Sequence, residues 1–204
     1  MNPVLRLESA RLLLRQWRDE DLAPFADLCA DPQVMRYFPA PLTRLEAAAL
    51  IGRIRGHFSE HGFGLWALER LDTGAFIGLT GLLRVNFEAP FAPAVEIGWR
   101  LDRRHWGQGY ASEAAWTCLR CAFSQLHLDE VVSFTSVSNL PRRRSCRPSA
   151  WSRTPRAASS TRACRSGIRC VPTCSTAWTA RAGNGPCTGE RGLTVKTCII
   201  CRPL

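Results

Sequence analysis

The chain has 204 residues and a formal net charge of +10, but the charge is segregated: residues 1–140 carry 14 Lys+Arg against 16 Asp+Glu, and residues 141–204 carry 13 against 1. About 140 residues suffice for one domain with a real core. The opening residues lack the apolar segment of a signal peptide, and no apolar run approaches the length that crosses a bilayer.

Leu5–Arg15 reads as a strand with a turn around Ser9-Ala10. Asp19 stands where it can cap a helix running to about Ala30. Thr43-Arg44-Leu45-Glu46 is a capping-box pattern and predicts a helix through Ile51, Ile54 and Phe58 that ends near Gly62. Leu65–Leu71 and Ala75–Val85 flank Asp72-Thr73-Gly74 and predict a hairpin. A Pro-containing loop, Phe87–Pro93, leads into a fourth strand, Ala94–Leu101. Next comes Arg104-His105-Trp106-Gly107-Gln108-Gly109-Tyr110-Ala111, and then a helical run with apolar residues at Ala111, Ala114, Ala115, Cys118, Leu119, Ala122, Phe123 and Leu126. Glu130–Val137, rich in β-branched residues, is the fifth strand. The order is β-α-α-β-β-β-α-β, an α/β chain with a mixed twisted sheet and flanking helices.

A glycine loop between a strand and a helix is a natural anion site. Glycine lets the backbone come close, and the first N–H groups of the helix are free at its positive end. A tight turn alone would also account for the glycines, so the context matters: R-x-x-G-x-G is weak by itself and stronger between strand and helix.

With that context the loop resembles the acetyl-CoA pyrophosphate loop of the GNAT acetyltransferases, and the string from Glu96-Ile97-Gly98-Trp99 through Gly109-Tyr110-Ala111-Ser112-Glu113-Ala114 resembles the RimJ/RimL branch of that family. Arg11-Leu12-Leu13-Leu14-Arg15 with Asp19-Glu20-Asp21, the run Asp31-Pro32-Gln33-Val34-Met35-Arg36-Tyr37-Phe38, and Asn139 resemble further landmarks of the branch, in order. The resemblance covers about Leu5 to Asn139 and implies a GNAT (acyl-CoA N-acyltransferase) fold. It also implies acetyl-CoA as cosubstrate, an amine acceptor that is a small molecule or a protein N-terminus, and no metal.

The resemblance also implies a site. Pantetheine would pair with the fourth strand near Ile97, Trp99 and Leu101, and pyrophosphate would rest on N–H groups from His105 through Trp106, Gly107, Gln108 and Gly109 to Tyr110. Arg104 would close the loop or add charge, or else be a solvated surface arginine. Glu96 occupies the position where many GNAT enzymes carry a catalytic or amine-orienting glutamate; an exposed strand carboxylate is the alternative. Asn139 would bond pantetheine or a water, or simply end the strand in a turn. Amine acetylation needs a base to free the amine, a donor facing the thioester oxygen and two partners held in line.

His57, His61, His105 and His127 show no metal or triad spacing. Trp66, Trp99, Trp106 and Tyr37 could line a pocket or pack as core and rim. Cys29, Cys118 and Cys121 suit a reduced, cytoplasmic protein, and Cys118 and Cys121 fall inside the predicted helix, where they read as packing residues.

Residues 142–204 read differently from the core at 1–141. Seven of the ten cysteines lie there, and no helical or strand period survives between Arg142 and Cys187. A basic disordered tail that binds RNA or a ribosome is one reading. A zinc module is a second, but Cys164, Cys170, Cys174 and Cys187 lack paired ligand spacing, and Cys198-Ile199-Ile200-Cys201 has no second pair. The favoured third reading is translation out of frame. Taking the third base of each codon with the first two of the next, Arg144 through Trp151 permits V-M-Q-A-L-G-M-E. Ser159 through Ala180 permits F-E-H-P-R-L-P-E-R-H-P-L-R-P-H-V-L-Y-R-L-D-R. Both strings resemble the end of a RimJ/RimL protein. On this reading the basic charge does not argue for nucleic-acid binding, the tail is irregular, and the fold lacks its usual last helix and strands, with one edge of the fifth strand unpaired.

Overall fold

The computed structural model describes residues 6–85 and 92–133, together with the backbone of three short strands at 152–153, 178–181 and 194–197. In chain order the elements are β1 (Leu7–Glu8), β2 (Leu12–Arg15), α1 (Leu22–Ala30), α2 (Arg44–His61), β3 (Leu65–Arg70), β4 (Phe76–Arg84), β5 (Val95–Leu101), α3 (Tyr110–Ser124), β6 (Glu130–Ser133), β7 (Ser152–Arg153), β8 (Trp178–Arg181) and β9 (Thr194–Thr197).

Local chemistry explains most of these elements. The first predicted strand folds on itself at the Ser9-Ala10 turn, setting Leu7 opposite Leu14. At the start of α2 the Thr43 N–H donates to the Glu46 carboxylate at 2.7 Å, and Glu46 N–H donates back to the Thr43 hydroxyl at 3.3 Å. The helix stops at Gly62, whose φ of 76° is a left-handed conformation that glycine adopts without penalty. One expectation fails here. Asp19 does not cap α1; it begins a short 3₁₀ turn, Asp19–Asp21, and accepts a bond from Arg55 Nη2 at 2.7 Å. Asp21 takes the local role, accepting from Arg18 N–H at 2.8 Å, and its carboxylate also accepts from Arg15, six positions earlier.

Strands β1 to β5 pair antiparallel in sequence order, and β6 joins β5 in parallel with Glu96 opposite Val132. Residues 134–137 of the predicted fifth strand lie outside the described residues. Arg100 and Thr80 mark the two faces of the sheet: Arg100 reaches Cys29 of α1, while the Thr80 hydroxyl lies 4.0 Å from Cys118 Sγ of α3. Trp17, Phe25 and Phe76 pack edge to face beneath α1, with Trp17 and Phe25 centroids 4.9 Å apart. On the other side Ala114, Ala115, Cys118, Leu119 and Ala122 of α3 are buried, the face its period predicts. Cys121 is buried too, so the Cys118/Cys121 pair serves packing as expected; burial pushes the Cys121 thiol up to about 11.

The tail expectation needs a correction at three places. The outer edge of β6 is covered: Glu130 and Val131 register antiparallel with Arg181 and Ala180 of β8, and Val132 and Ser133 register in parallel with Lys196 and Thr197 of β9. An open strand edge presents N–H and C=O groups that any extended backbone can satisfy, whatever its side-chain pattern. Among the described residues no helix follows α3.

Candidate active site

The glycine loop sits where β5 hands over to α3. Leu101 ends the strand, and Asp102 starts a single 3₁₀ turn, Arg103–His105, by accepting from Arg104 N–H at 2.9 Å. His105 N–H and Trp106 N–H close that turn onto the carbonyls of Asp102 and Arg103, at 3.0 and 3.1 Å. These two amides are therefore engaged internally. Among the described residues, the N–H groups of 107 to 112 donate to no protein group, and Glu113 N–H makes the first helical bond, to Gly109 O at 3.0 Å. Gly107 and Gly109 hold φ of 75° and 82°, the left-handed geometry that turns successive amides toward one side. Among the described residues a Cβ placed at Gly107 would meet nothing within 4 Å.

Arg104 closes the loop through its backbone: its carbonyl accepts from Gln108 Nε2 at 3.2 Å. Its guanidinium turns back onto Asp102, with contacts of 2.5 and 3.1 Å. That bond, opposed by partial burial, holds the Asp102 carboxyl below the ordinary value. Trp106 is 47% exposed and donates its indole N–H to Leu101 O at 2.8 Å, an edge bracket on the strand end. Partial burial pushes the His105 imidazole below its ordinary value, against the pull of Asp102, which favours the neutral ring.

The residues that brace the loop were not singled out from sequence. Glu113, in the first turn of α3, accepts from the Ser9 hydroxyl at 2.8 Å, Arg11 N–H at 2.9 Å and Arg11 Nε at 2.7 Å. Arg11 in turn donates through Nη1 to Gln108 O at 3.0 Å and lies 4.5 Å from the centre of the Tyr110 ring. Burial opposes ionisation of Glu113, but the bonds from Ser9 and Arg11 prevail and hold its carboxyl below the ordinary value. Arg11 offsets the Glu113 charge at the start of α3. The available signal was an acid in a helix first turn, but nothing local names its partner a hundred positions away.

Glu96 is half-exposed on β5, between Leu83 of β4 and Val132 of β6. Ile97 and Leu101 are buried and Trp99 half-buried, all on the strand face opposite to Glu96. Asn139 lies outside the described residues. Trp66 is core, packed against Phe58 at 5.4 Å. Among the described residues no group of three or more His, Cys, Asp or Glu could hold a metal, and no helix is long and apolar enough to cross a membrane.

Comparisons with known proteins bear on this geometry. Residues 11–147 match the Acetyltransferase (GNAT) domain family. YkkB of Bacillus subtilis (strain 168) is 31% identical over 140 residues, covering 68% of this chain and 80% of that protein. The FsC-acetyl coenzyme A-N(2)-transacetylase of Aspergillus fumigatus is 33% identical over 144 residues, 67% of this chain and 60% of the relative. The crystal structure of the acetyltransferase from Agrobacterium tumefaciens str. C58 superposes with a TM-score of 0.61 at 27% identity, covering 72% of this chain and 82% of that one. The chain belongs to the GNAT family and is an acetyl-CoA-dependent N-acetyltransferase.

Proposed function

We propose that this enzyme seats the pyrophosphate of acetyl-CoA on the amides of residues 107 to 112 and transfers the acetyl group beside Glu96. The observation that carries the reading is the row of unengaged N–H groups at the start of α3, with Gly107 and Gly109 in left-handed conformations. Fixed amide dipoles there cost no reorganisation when the anion arrives. Ile97, Trp99 and Leu101 offer the backbone along which pantetheine lies, and Asn139 bonds it or a water. Arg104 acts through its carbonyl, as a loop closure, because Asp102 takes its charge.

Glu96 takes the proton of the acceptor ammonium, directly or through water, so that the neutral amine attacks the thioester carbonyl. The thioester's C–S bond breaks as the amide forms, and the thiolate leaves with a proton. Holding the two partners in line supplies much of the rate. The landmarks from Arg11 to Gly109 support membership of the RimJ/RimL branch and the reduced, buried Cys29, Cys118 and Cys121 support a cytoplasmic setting. The basic tail after Pro141 is the out-of-frame continuation of the gene, supported by the family-like strings in the shifted frame and by a family match that ends at residue 147. On this reading the chain as written works below the rate of its frame-corrected form.

Gly107→Asp tests the seat. It adds negative charge to the anion site and strains a residue with φ of 75°, so acetyl-CoA binding should be lost in calorimetry; an unchanged Kd overturns the seat. Glu96→Gln should keep acetyl-CoA affinity and lower turnover, most clearly below the pKa of the acceptor amine. Undiminished turnover removes Glu96 from the base role. Intact mass of the expressed chain beside resequencing of the DNA around Pro141 tests the frame: DNA that encodes the written tail, with activity equal to the frame-corrected protein, overturns it.

A further inference from the structure

Two arginines are buried among the described residues, and their surroundings differ. Arg15, 7% exposed, meets Asp21 at 2.7 and 2.8 Å and Glu69 at 2.6 Å. Arg100, 5% exposed, has no carboxylate within ion-pair distance among the described residues. Its Nη1 donates to Cys29 Sγ at 2.9 Å, its guanidinium carbon lies 4.2 Å from the centre of the Phe38 ring, and its buried Nε has no hydrogen-bond partner among the described residues. A thiol is a weak acceptor and a ring face a partial substitute for an anion. A desolvated guanidinium with an open donor is a strong, directional receptor for a carboxylate.

The position of Arg100 gives that receptor a use. Side chains alternate along β5, so Glu96, Gly98 and Arg100 share one face. Gly98 carries no side chain in the middle of that strip: among the described residues a Cβ built there meets only Glu96 Oε1, at 4.0 Å. Glu96 and Gly98 are half-exposed, and Cys29 of α1 with Phe38 of the α1–α2 connection wall the Arg100 end. The strip has a carboxylate at one end, a guanidinium at the other and a gap between. The two Cα atoms are about 13 Å apart along an extended strand, a span that two long side chains shorten.

We propose that the acceptor is an amine that also carries a carboxylate, with its ammonium at Glu96 and its carboxylate at Arg100, and with half-exposed Phe38 as the cover that moves. The proposal rests on the reading of Glu96 as the place of the amine. The test uses the full chain at saturating acetyl-CoA. The acceptors are glycine through 6-aminohexanoate, each beside the alkylamine that lacks the carboxylate. The wild type should favour the carboxylated member of at least one pair by roughly 10- to 100-fold in kcat/KM, as expected for a charge-assisted hydrogen bond. Arg100→Met should bring that pair within about threefold, through KM for the carboxylated acceptor, with KM for acetyl-CoA unchanged. No preference in the wild type, or a preference that survives Arg100→Met, overturns the proposal.

Thermal melts show whether each variant folds. If Arg100→Met does not melt cooperatively, Arg100→Lys, which keeps charge but loses the planar fork, must cut the preference at least about fivefold; an undiminished preference is again refutation. If turnover is too slow to follow, the N-acetylated products of each pair replace the acceptors, and their stabilisation of wild type and variant in melts reads the same preference. The reading of Glu96 is tested separately by turnover of the alkylamine acceptors, which carry no carboxylate, with Glu96→Gln. Either reading can therefore fail alone.

Discussion

Glu113→Ala is expected to weaken acetyl-CoA binding about tenfold while leaving acceptor KM unchanged. The carboxylate accepts from Ser9 Oγ, Arg11 N–H and Arg11 Nε, at 2.8, 2.9 and 2.7 Å, and its side chain is 18% exposed. Bonds to a desolvated charged group contribute about 1.5–3 kcal/mol each. The Arg11 side chain is 48% exposed, so its ion pair is discounted to about 0.2–1 kcal/mol, and water replaces part of the rest. The total is about 2–3 kcal/mol. About half should appear as lower stability of the free protein, a Tm drop of roughly 2–6 °C. The other half is lost on binding, because Arg11 no longer holds Gln108 O and the Tyr110 ring, and the loop must be ordered by the ligand; about 1.4 kcal/mol is tenfold. Glu113→Gln keeps an acceptor oxygen for Ser9 and Arg11 N–H and should lose about threefold or less. Calorimetric Kd values beside melts of the free variants check this. A lower Tm with an unchanged Kd would make Glu113 a strut and nothing more. A tighter Kd would mean that the freed Arg11 charge outweighs the lost geometry.

Asp21→Ala removes both bonds to buried Arg15 and the bond to Arg18 N–H. Arg15 keeps Glu69 at 2.6 Å, so charge-assisted bonds are lost and no charge is stranded, at a cost of about 2–4 kcal/mol, read as a Tm drop of about 4–16 °C; a drop below about 2 °C would refute the account. The His57 ring lies between the Phe63 carbonyl, 2.7 Å from Nδ1, and Arg84 N–H, which donates to Nε2 at 3.1 Å. Burial, opposed by the Phe63 bond and aided by His61, holds its pKa below the ordinary 6.5. A folded pKa below the unfolded one means that the unfolded chain binds more protons in between. The stabilisation is therefore complete above 6.5 and is lost as pH falls toward the folded value. His105 shifts in the same direction. Urea melts from pH 7.5 to 5 should show this loss, and His57→Gln should reduce its slope; an unchanged slope would exclude His57 as a source.

Sequence by itself determined the elements whose causes are local. The Thr43–Glu46 box opens α2, Gly62 ends it, Gly74 turns the β3–β4 hairpin, and the spacing from Ala114 to Ala122 gives α3 its buried face. Each depends on backbone propensity or period within a few residues, so it is written in the residues themselves. The glycine loop was legible for the same reason: glycines between a strand and a helical period are a local signal. Tertiary structure decided everything that joins distant stretches. It chose which amides stay unengaged among the described residues: the 3₁₀ turn consumes those of His105 and Trp106 and leaves those of residues 107–112. It joined Arg11 to Glu113 and Arg15 to Glu69. Among the described residues it left Arg100 without an ion pair while giving Arg15 two, and it laid backbone from the tail on the outer edge of β6. Such pairings follow from sheet register and helix docking, where burial of a charge or an unpaired backbone edge selects a partner by position in space, and a one-dimensional pattern carries no record of that choice.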